Sequence, residues 1–330
     1  MQQTAAFSAR AQIRVREATE ADEPRILEIG NAIYPEYKET LEEFRADASR
    51  LRDGGYVSVR TVAEAPDGQI VGHSHFHQMP GQFDRARFRV GVYVEPAWCR
   101  YGVGSALHDH LLGSVAAQGG RQLEAGARET MVDSIAFLHR RGFREIMRTW
   151  ETRLDVTRFD PGPFASYAVR VRDQGIVVTT LADEARRDVG TLRRAHALHD
   201  AMLADIPSPI PYTPVPFDEF IRVNVDSPRA LLDAYFIATL GGTYVGEANL
   251  RRPVLGTHLY HNITGVLPVY RGRGIAMTLK LATIAYARAH GYTEIRTWND
   301  VHNVEMLTIN DRLGFVRQPA WLTFERNIDV

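Results

Sequence analysis

The sequence predicts an α/β protein of two tandem domains, each a mixed, mostly antiparallel twisted sheet flanked by helices. A glycine-rich strand-to-helix turn occurs twice, in Val92-Tyr93-Val94-Glu95-Pro96-Ala97-Trp98-Cys99-Arg100-Tyr101-Gly102-Val103-Gly104-Ser105 and in Val266-Leu267-Pro268-Val269-Tyr270-Arg271-Gly272-Arg273-Gly274-Ile275-Ala276. Gly102 and Gly274 are 172 residues apart, and so are the pairs Gly142-Phe143 and Gly314-Phe315. An offset of that size suits a duplicated domain better than a solenoid repeat of a few dozen residues. The 330 residues are also enough for two domains that each bury a core.

The elements follow in order. Residues 1–12 read as an N-terminal extension, and the first domain spans 13–156. Ile13 to Glu17 reads as a strand, Thr19 as the cap of a helix through Ile26, Leu27, Ile29 and Ile33, and Thr40 to Leu51 as a second helix. A hairpin joins Tyr56–Ala63 to Gln69–His77 through Pro66-Asp67-Gly68. Arg87–Val94 is the next strand, Gly102–Gln118 a helix, Leu123–Ala125 a short strand, and Asp133–Arg140 a helix stopped at Gly142. Residues 157–175 form the linker, with Asp160-Pro161-Gly162-Pro163 as the breaker. The second domain, 176–330, opens with a strand from Ile176 to Leu181 and one helix from Glu184 to Leu203. The proline-rich run from Ile206 to Pro216 cannot continue as helix and reads as a connector, with a substrate-side lid as the alternative. A hairpin over Tyr235–Leu240 and Tyr244–Leu250, a strand Leu259–Leu267, a helix Ile275–His290, a strand Glu294–Trp298 and a last helix with Met306, Leu307, Ile309 and Leu313 on its buried face complete the copy.

The glycine turns carry the chemistry. Glycine lets the backbone approach an anion, and the first helical turn presents unpaired N–H donors with the positive end of the dipole behind them. Arg271 and Arg273 add charge. The dinucleotide fingerprint is absent, because Met277 stands where its third glycine belongs, and so is the Gly-Lys-Ser/Thr of a phosphate loop. What matches is Arg-x-x-Gly-x-Ala at Arg271, Gly274 and Ala276, the acyl-coenzyme A signature. On these residues the chain resembles the GNAT family of N-acetyltransferases, and tandem chains of this shape resemble mycothiol synthase and its two-domain relatives. The helix led by Asn303 and ending in Gly314-Phe315 adds a second matching motif in register.

The resemblance implies acetyl-CoA, or another short acyl-CoA, as cosubstrate and no metal. It implies a coenzyme site over Gly265, Val266, Leu267, Arg271, Gly272, Arg273, Gly274, Ile275, Ala276, Asn303 and Asn310, with the Asn303 amide on the pantetheine arm. The first-copy counterparts are Val92, Val94, Arg100, Tyr101, Gly102, Val103, Gly104 and Ser105. The family's tyrosine, four residues before the Gly-Phe glycine, is replaced by Asn310 and Leu138, and neither protonates a sulfur. A thiol of pKa about 8.5 still leaves tolerably without a proton. The first copy also has Cys99 for Arg271 and Met131 for Asn303, so it is expected to be degenerate, with the chemistry in the second.

Amine attack on a thioester needs a base and donors for the developing oxyanion. Glu247 and His261 are the candidate bases, His258 lies on the same strand as His261, and main-chain N–H near Val266 is the candidate donor. His73, His75 and His77 place three imidazoles on one strand face. Alternate residues there are about 6.6 Å apart, which suits a polar cleft wall better than a metal centre. A formal net charge of −1 gives no general electrostatic case for nucleic acid or membrane. One cysteine excludes a disulfide framework, and no signal-peptide or membrane-spanning run is evident, so the expected setting is cytoplasmic. The expected partner is a small-molecule or peptide amine, and a homodimer is left open. The missing tyrosine raises a non-catalytic acyl-CoA sensor as the alternative; a dimerisation scaffold is the third reading.

Overall fold

The computed structural model describes residues 13–253 and 255–328. The expected N-terminal extension, 1–12, lies outside them. In chain order the elements are β1 Arg14–Glu17, α1 Glu23–Ile33, α2 Leu41–Asp53, β2 Ser58–Glu64, β3 Ile70–His77, β4 Arg87–Val94, α3 Val103–Ala117, β5 Gln122–Arg128, α4 Val132–Arg140 and β6 Arg144–Asp155. They continue with α5 Ala165–Asp173, β7 Ile176–Thr180, α6 Leu181–Arg187, α7 Thr191–Ala204, α8 Phe217–Asn224, β8 Ala230–Leu240, β9 Thr243–Arg251 and β10 His258–Val266. Last come α9 Ile275–Ala289, β11 Glu294–Asp300, α10 Val304–Arg312, β12 Val316–Arg317 and β13 Trp321–Asn327.

The chain forms two compact units that do not divide it at one point. The first takes the described part of Met1–Ala127, Met131–Ile146 and the described part of Leu322–Val330; the second takes Arg128–Thr130 and Met147–Trp321. Where the sequence reading separates the halves over 157–175, the units instead trade strands, so β13 closes the first sheet and most of β6 belongs to the second. The first sheet runs β1-β2-β3-β4-β5-β13, and the second runs β6-β11-β10-β9-β8-β7 with β12 on β6. Both are antiparallel through their hairpins, with one parallel pair each, β4/β5 and β10/β11.

In the second unit the sheet is covered on both faces. Leu259, Met277, Ile284 and Phe315 pack under α9 and α10, and Leu198, Met202, Phe220 and Ile263 pack under α7 and α8. Each such buried side chain contributes roughly 1.5–3 kcal/mol relative to exposure. In the first unit Val103 and Leu107 of α3 pack on Ala63 and Val71.

Several expectations are corrected. The single helix over 184–203 is two helices, broken where Asp188 accepts from the Gly190 N–H at 2.8 Å and pairs with Arg194 at 2.5 Å. The region 157–175 is not plain linker, because it contains α5, whose Tyr167 and Val171 back the second glycine turn. The short strand at Leu123–Ala125 extends over the whole of β5, and α8, β6 and β13 had no counterpart in the sequence reading. The proline-rich run is loop throughout, tied to α7 by a His196 Nε2 to Val215 carbonyl contact of 2.8 Å and a Tyr212 hydroxyl donating to Asp200 at 2.5 Å.

Candidate active site

The turn entering α9 has the conformation an anion cradle needs. Gly272 and Gly274 take φ of +75° and +86°, the left-handed region, and Gly274 is the N-cap of α9. A Cβ at Gly272 would meet no atom within 4 Å, whereas one at Gly274 would lie 3.3 Å from the Tyr167 ring. The loop is thus walled behind and open in front, which fits a coenzyme diphosphate. Arg271 is braced by its Nε donating to the Val266 carbonyl at 3.2 Å and by an ion pair with Asp205. The Arg273 guanidinium lies 5.4 Å from the Tyr270 ring centre, and Gln174 donates to the Arg273 carbonyl at 3.2 Å. Ile275 is buried behind the turn, and Ala276 packs beside it.

The strand leading into this turn loses its parallel neighbour partway. β10 pairs with β11 only from His258 to Tyr260 opposite Glu294 to Arg296, then runs on to Val266 paired with β9 alone. A bulge between His261 and Ile263, with the Ile263 N–H donating to Asn249 Oδ1 at 3.2 Å, turns the chain at the point of separation. The result is a fork whose β10 side offers to an extended ligand those main-chain groups of 262–266 that β9, Asn249 and Arg271 do not take. Leu267 N–H is not among them, since it donates to the Val245 carbonyl at 2.9 Å. Asn303 uses its Oδ1 to cap α10 at the Met306 N–H, 3.2 Å away, which leaves its Nδ2 as the end available to a pantetheine arm. Asn310 is fully buried, its Nδ2 donates to Asn299 Oδ1 at 2.7 Å, and its Oδ1 has no partner.

The two candidate bases face opposite sides of the sheet. Glu247, opposite Gly265 in the β9/β10 register, is 0% exposed. His199 Nδ1 lies 2.8 Å from its Oε1, and the Tyr235 hydroxyl donates to its Oε2. With a carboxylate there, Nδ1 carries the proton and Nε2 the lone pair. Burial and the Glu247 charge push the Tyr235 phenol well above its ordinary value, so it stays a donor. His261 is buried, bonds Thr264 Oγ1 at 3.1 Å, and is held well below the ordinary imidazole value by burial first and by the Lys280 charge second. It faces Lys280 of α9, not Glu247. His258 is likewise pushed down by burial, to about 4.

His199, Tyr235 and Lys280 escaped the sequence reading. Lys280 was detectable, since helical spacing puts it in line with the apolar Met277, Ile284 and Ala287. His199 joins Ala195, Leu198 and Met202 in the same manner on α7, but nothing local marks Glu247 as its partner 48 residues on.

The first unit repeats the cradle with changed chemistry. Gly102 is the N-cap of α3 at φ +88°, and Arg100 takes φ +69° where the second turn has Gly272. Left-handed backbone costs a non-glycine residue roughly 1–2 kcal/mol, so the loop keeps its path against local preference. Arg141 donates to Ser105 Oγ at 2.7 Å, Gly104 lies against Phe137, Tyr101 is exposed beside Trp98, and Val92 and Val94 pack near Val103. Met131 has nearly the backbone angles of Asn303 but no capping side chain. β4 parts from β5 after Arg89/Glu124, so this unit too has a fork. His73 stacks on Tyr93 with centroids 4.6 Å apart and both ring nitrogens unpartnered, and burial pushes it to about 3 and His77 to about 4. Among the described residues no group of three or more His, Cys, Asp or Glu is placed to hold a metal ion.

A twice-built sheet forked beside a glycine cradle defines an acyl-coenzyme A transferase fold. The chain belongs to the acetyltransferase (GNAT) family, whose pattern matches residues 20–143 and again 197–315. It is a tandem N-acetyltransferase, and the family uses acetyl-CoA as cosubstrate. It is 24% identical over 331 residues to a mycothiol acetyltransferase of Salinispora arenicola, covering 94% of this chain and 99% of the relative. The mycothiol acetyltransferase of Geodermatophilus obscurus is 24% identical over 288 residues, covering 84% and 85%. Among solved structures, a tandem GNAT protein from the clavulanic acid biosynthesis pathway aligns with a TM-score of 0.69 at 16% identity over 96% of this chain and 98% of that one. A GCN5-related N-acetyltransferase from Sphaerobacter thermophilus aligns at 0.68, also 16% identical, over 96% and 98%. Among the described residues no helix is long and apolar enough to cross a membrane.

Proposed function

We propose that the protein transfers the acetyl group of acetyl-CoA, or of another short acyl-CoA, to the primary amine of a small-molecule or peptide acceptor, and that the second unit does the chemistry. One observation carries this reading. The cradle, the fork and a buried carboxylate–imidazole pair converge on Gly265, which stands beside the free edge of β10 and opposite Glu247. Among the described residues the first unit has no such pair at the equivalent place, because His73, opposite Tyr93 in the β3/β4 register, occupies it.

The cosubstrate supplies an activated carbonyl; the chain supplies position and proton transfer. The glycine turn and α9 N-terminus hold the diphosphate, with Arg271 and Arg273 adding charge, and Asn303 Nδ2 holds the pantetheine arm. His199 Nε2 takes the proton from the attacking amine. Glu247 keeps the imidazole in the right tautomer and stabilises the imidazolium that forms, and Tyr235 occupies the second carboxylate oxygen. Glu247 therefore acts as a positioning residue behind the base. Main-chain N–H near Val266 is the oxyanion donor. A cytoplasmic setting goes with this reading, as one cysteine builds no disulfide framework.

Two relatives named for mycothiol make an amine of that kind the first acceptor to assay, followed by amino sugars, polyamines and peptide amino termini. The test measures coenzyme A release over that panel, with acetyl-CoA binding by calorimetry, for the native chain, Gly274→Trp and Gly102→Trp. Loss of turnover in Gly274→Trp alone is expected. Turnover that survives in Gly274→Trp and vanishes in Gly102→Trp would move the chemistry to the first unit.

A further inference from the structure

The fork in the second unit contains a charge that no carboxylate among the described residues balances. Lys280, on the second turn of α9, is 1% exposed. Its Nζ lies 5.1 Å from the centre of the Phe315 ring, and burial alone pushes its pKa to about 7, with no carboxylate among the described residues to offset it. Two further observations come from the strands and helix of the fork. His261 of β10 is the titratable neighbour and is kept neutral; Asn310 of α10 and Asn299 of β11 bond each other and leave Asn310 Oδ1 unmatched. A buried ammonium without an anion is costly, and so is an orphaned amide oxygen. Both occur where β10 and β11 separate, beside the helix position at which the resemblance expects a tyrosine and the chain has asparagine.

We propose that Lys280 is the counter-charge for the sulfur of the departing coenzyme A, so that the anion missing from the fork is the thiolate the reaction creates. This rests on the reading of the fork as the acyl-CoA site. As the acceptor nitrogen forms its bond to the acetyl carbon, the carbon–sulfur bond breaks and its electron pair goes to sulfur. The Lys280 ammonium keeps its proton and pairs with the thiolate so formed, while the proton from the acceptor nitrogen leaves through His199. The thiolate takes a proton from solvent as coenzyme A departs. Asn310 Oδ1 is then free to accept an N–H from the pantetheine arm, and the lysine's charge stabilises the leaving group that asparagine cannot protonate.

The test needs no turnover. Binding of coenzyme A and of desulfo-coenzyme A is measured by calorimetry on the native chain and on Lys280→Met, and the thiol of bound coenzyme A is titrated by its ultraviolet thiolate absorbance. The native chain should prefer coenzyme A by about tenfold or more, the gain of one charge-assisted contact, and Lys280→Met should lose the preference while still binding both ligands. The bound thiol of the native chain should titrate below its ordinary value of about 8.5. Equal binding of both ligands by the native chain, or a bound thiol that titrates at or above its free value, overturns the proposal even if Lys280→Met does not fold. Failure of either ligand to bind at all would instead remove the coenzyme reading, and this proposal with it.

Discussion

The Nδ1 of His199 and the Oε1 of Glu247 stand 2.8 Å apart, joining α7 to the middle of β9 across a fully buried carboxylate. Glu247 was a candidate base from its place in the hairpin. Its two oxygens are committed to His199 and Tyr235, so a proton from an acceptor reaches it only through the imidazole.

Removing the imidazole is therefore expected to lower turnover without weakening coenzyme binding. His199→Ala should reduce kcat by about 10²–10⁴-fold. Glu247→Gln keeps the volume but turns an N–H toward Nδ1, which favours the wrong tautomer, so kcat should fall there as well. Steady-state kinetics alongside calorimetry check both, and an unchanged kcat in either variant removes the pair from the mechanism.

Gly265 is needed for contact rather than for an unusual backbone angle. A Cβ there would lie 2.3 Å from Met202 Sδ, so Gly265→Ala should cost about 1–3 kcal/mol in a denaturant titration through overpacking. Adding Met202→Ala should recover part of that loss, and a double-mutant cycle with no coupling would show that the two side chains do not compete.

Lys280 gives stability a pH dependence of known sign. Its folded pKa of about 7 lies below the ordinary 10.5, so between those values the unfolded chain binds more protons, and this group makes stability rise with pH. Its penalty is full below about pH 7 and gone above 10.5. Relative to the native chain, Lys280→Met should be more stable at neutral pH, with the advantage shrinking as pH climbs. Urea titrations across that window would refute this if the difference stayed flat.

Arg100 offers a gain in the opposite direction. With its φ at +69°, replacement by glycine should raise the first unit's stability by up to about 1 kcal/mol, the strain relieved less the added freedom of the unfolded chain. Thermal and denaturant midpoints would check it, and a loss would mean the guanidinium holds the loop by contacts that outweigh its backbone strain.

The readable parts of the sequence were those whose physics is local. The positive φ at Gly272 and Gly274, the helix that follows, the hairpins and the 172-residue offset all follow from nearby residue types. The break at Asp188 went unread because no proline or apolar gap announces it; a side-chain carboxylate capping Gly190 does the work. The His199–Glu247 contact spans 48 residues and exists only once α7 lies on the sheet. The trading of β6 and β13 between the units was also beyond reach, since either strand's pattern fits either sheet edge equally well.

That trade sets a timetable for biogenesis. As the chain leaves the ribosome, the outer edge of β5 has to wait for β13, almost two hundred residues later, so the first half cannot reach its final form while it is still the only half made. Whatever occupies that edge meanwhile must be displaced or shielded, which makes a chain stalled before Trp321 a candidate for edge-to-edge aggregation.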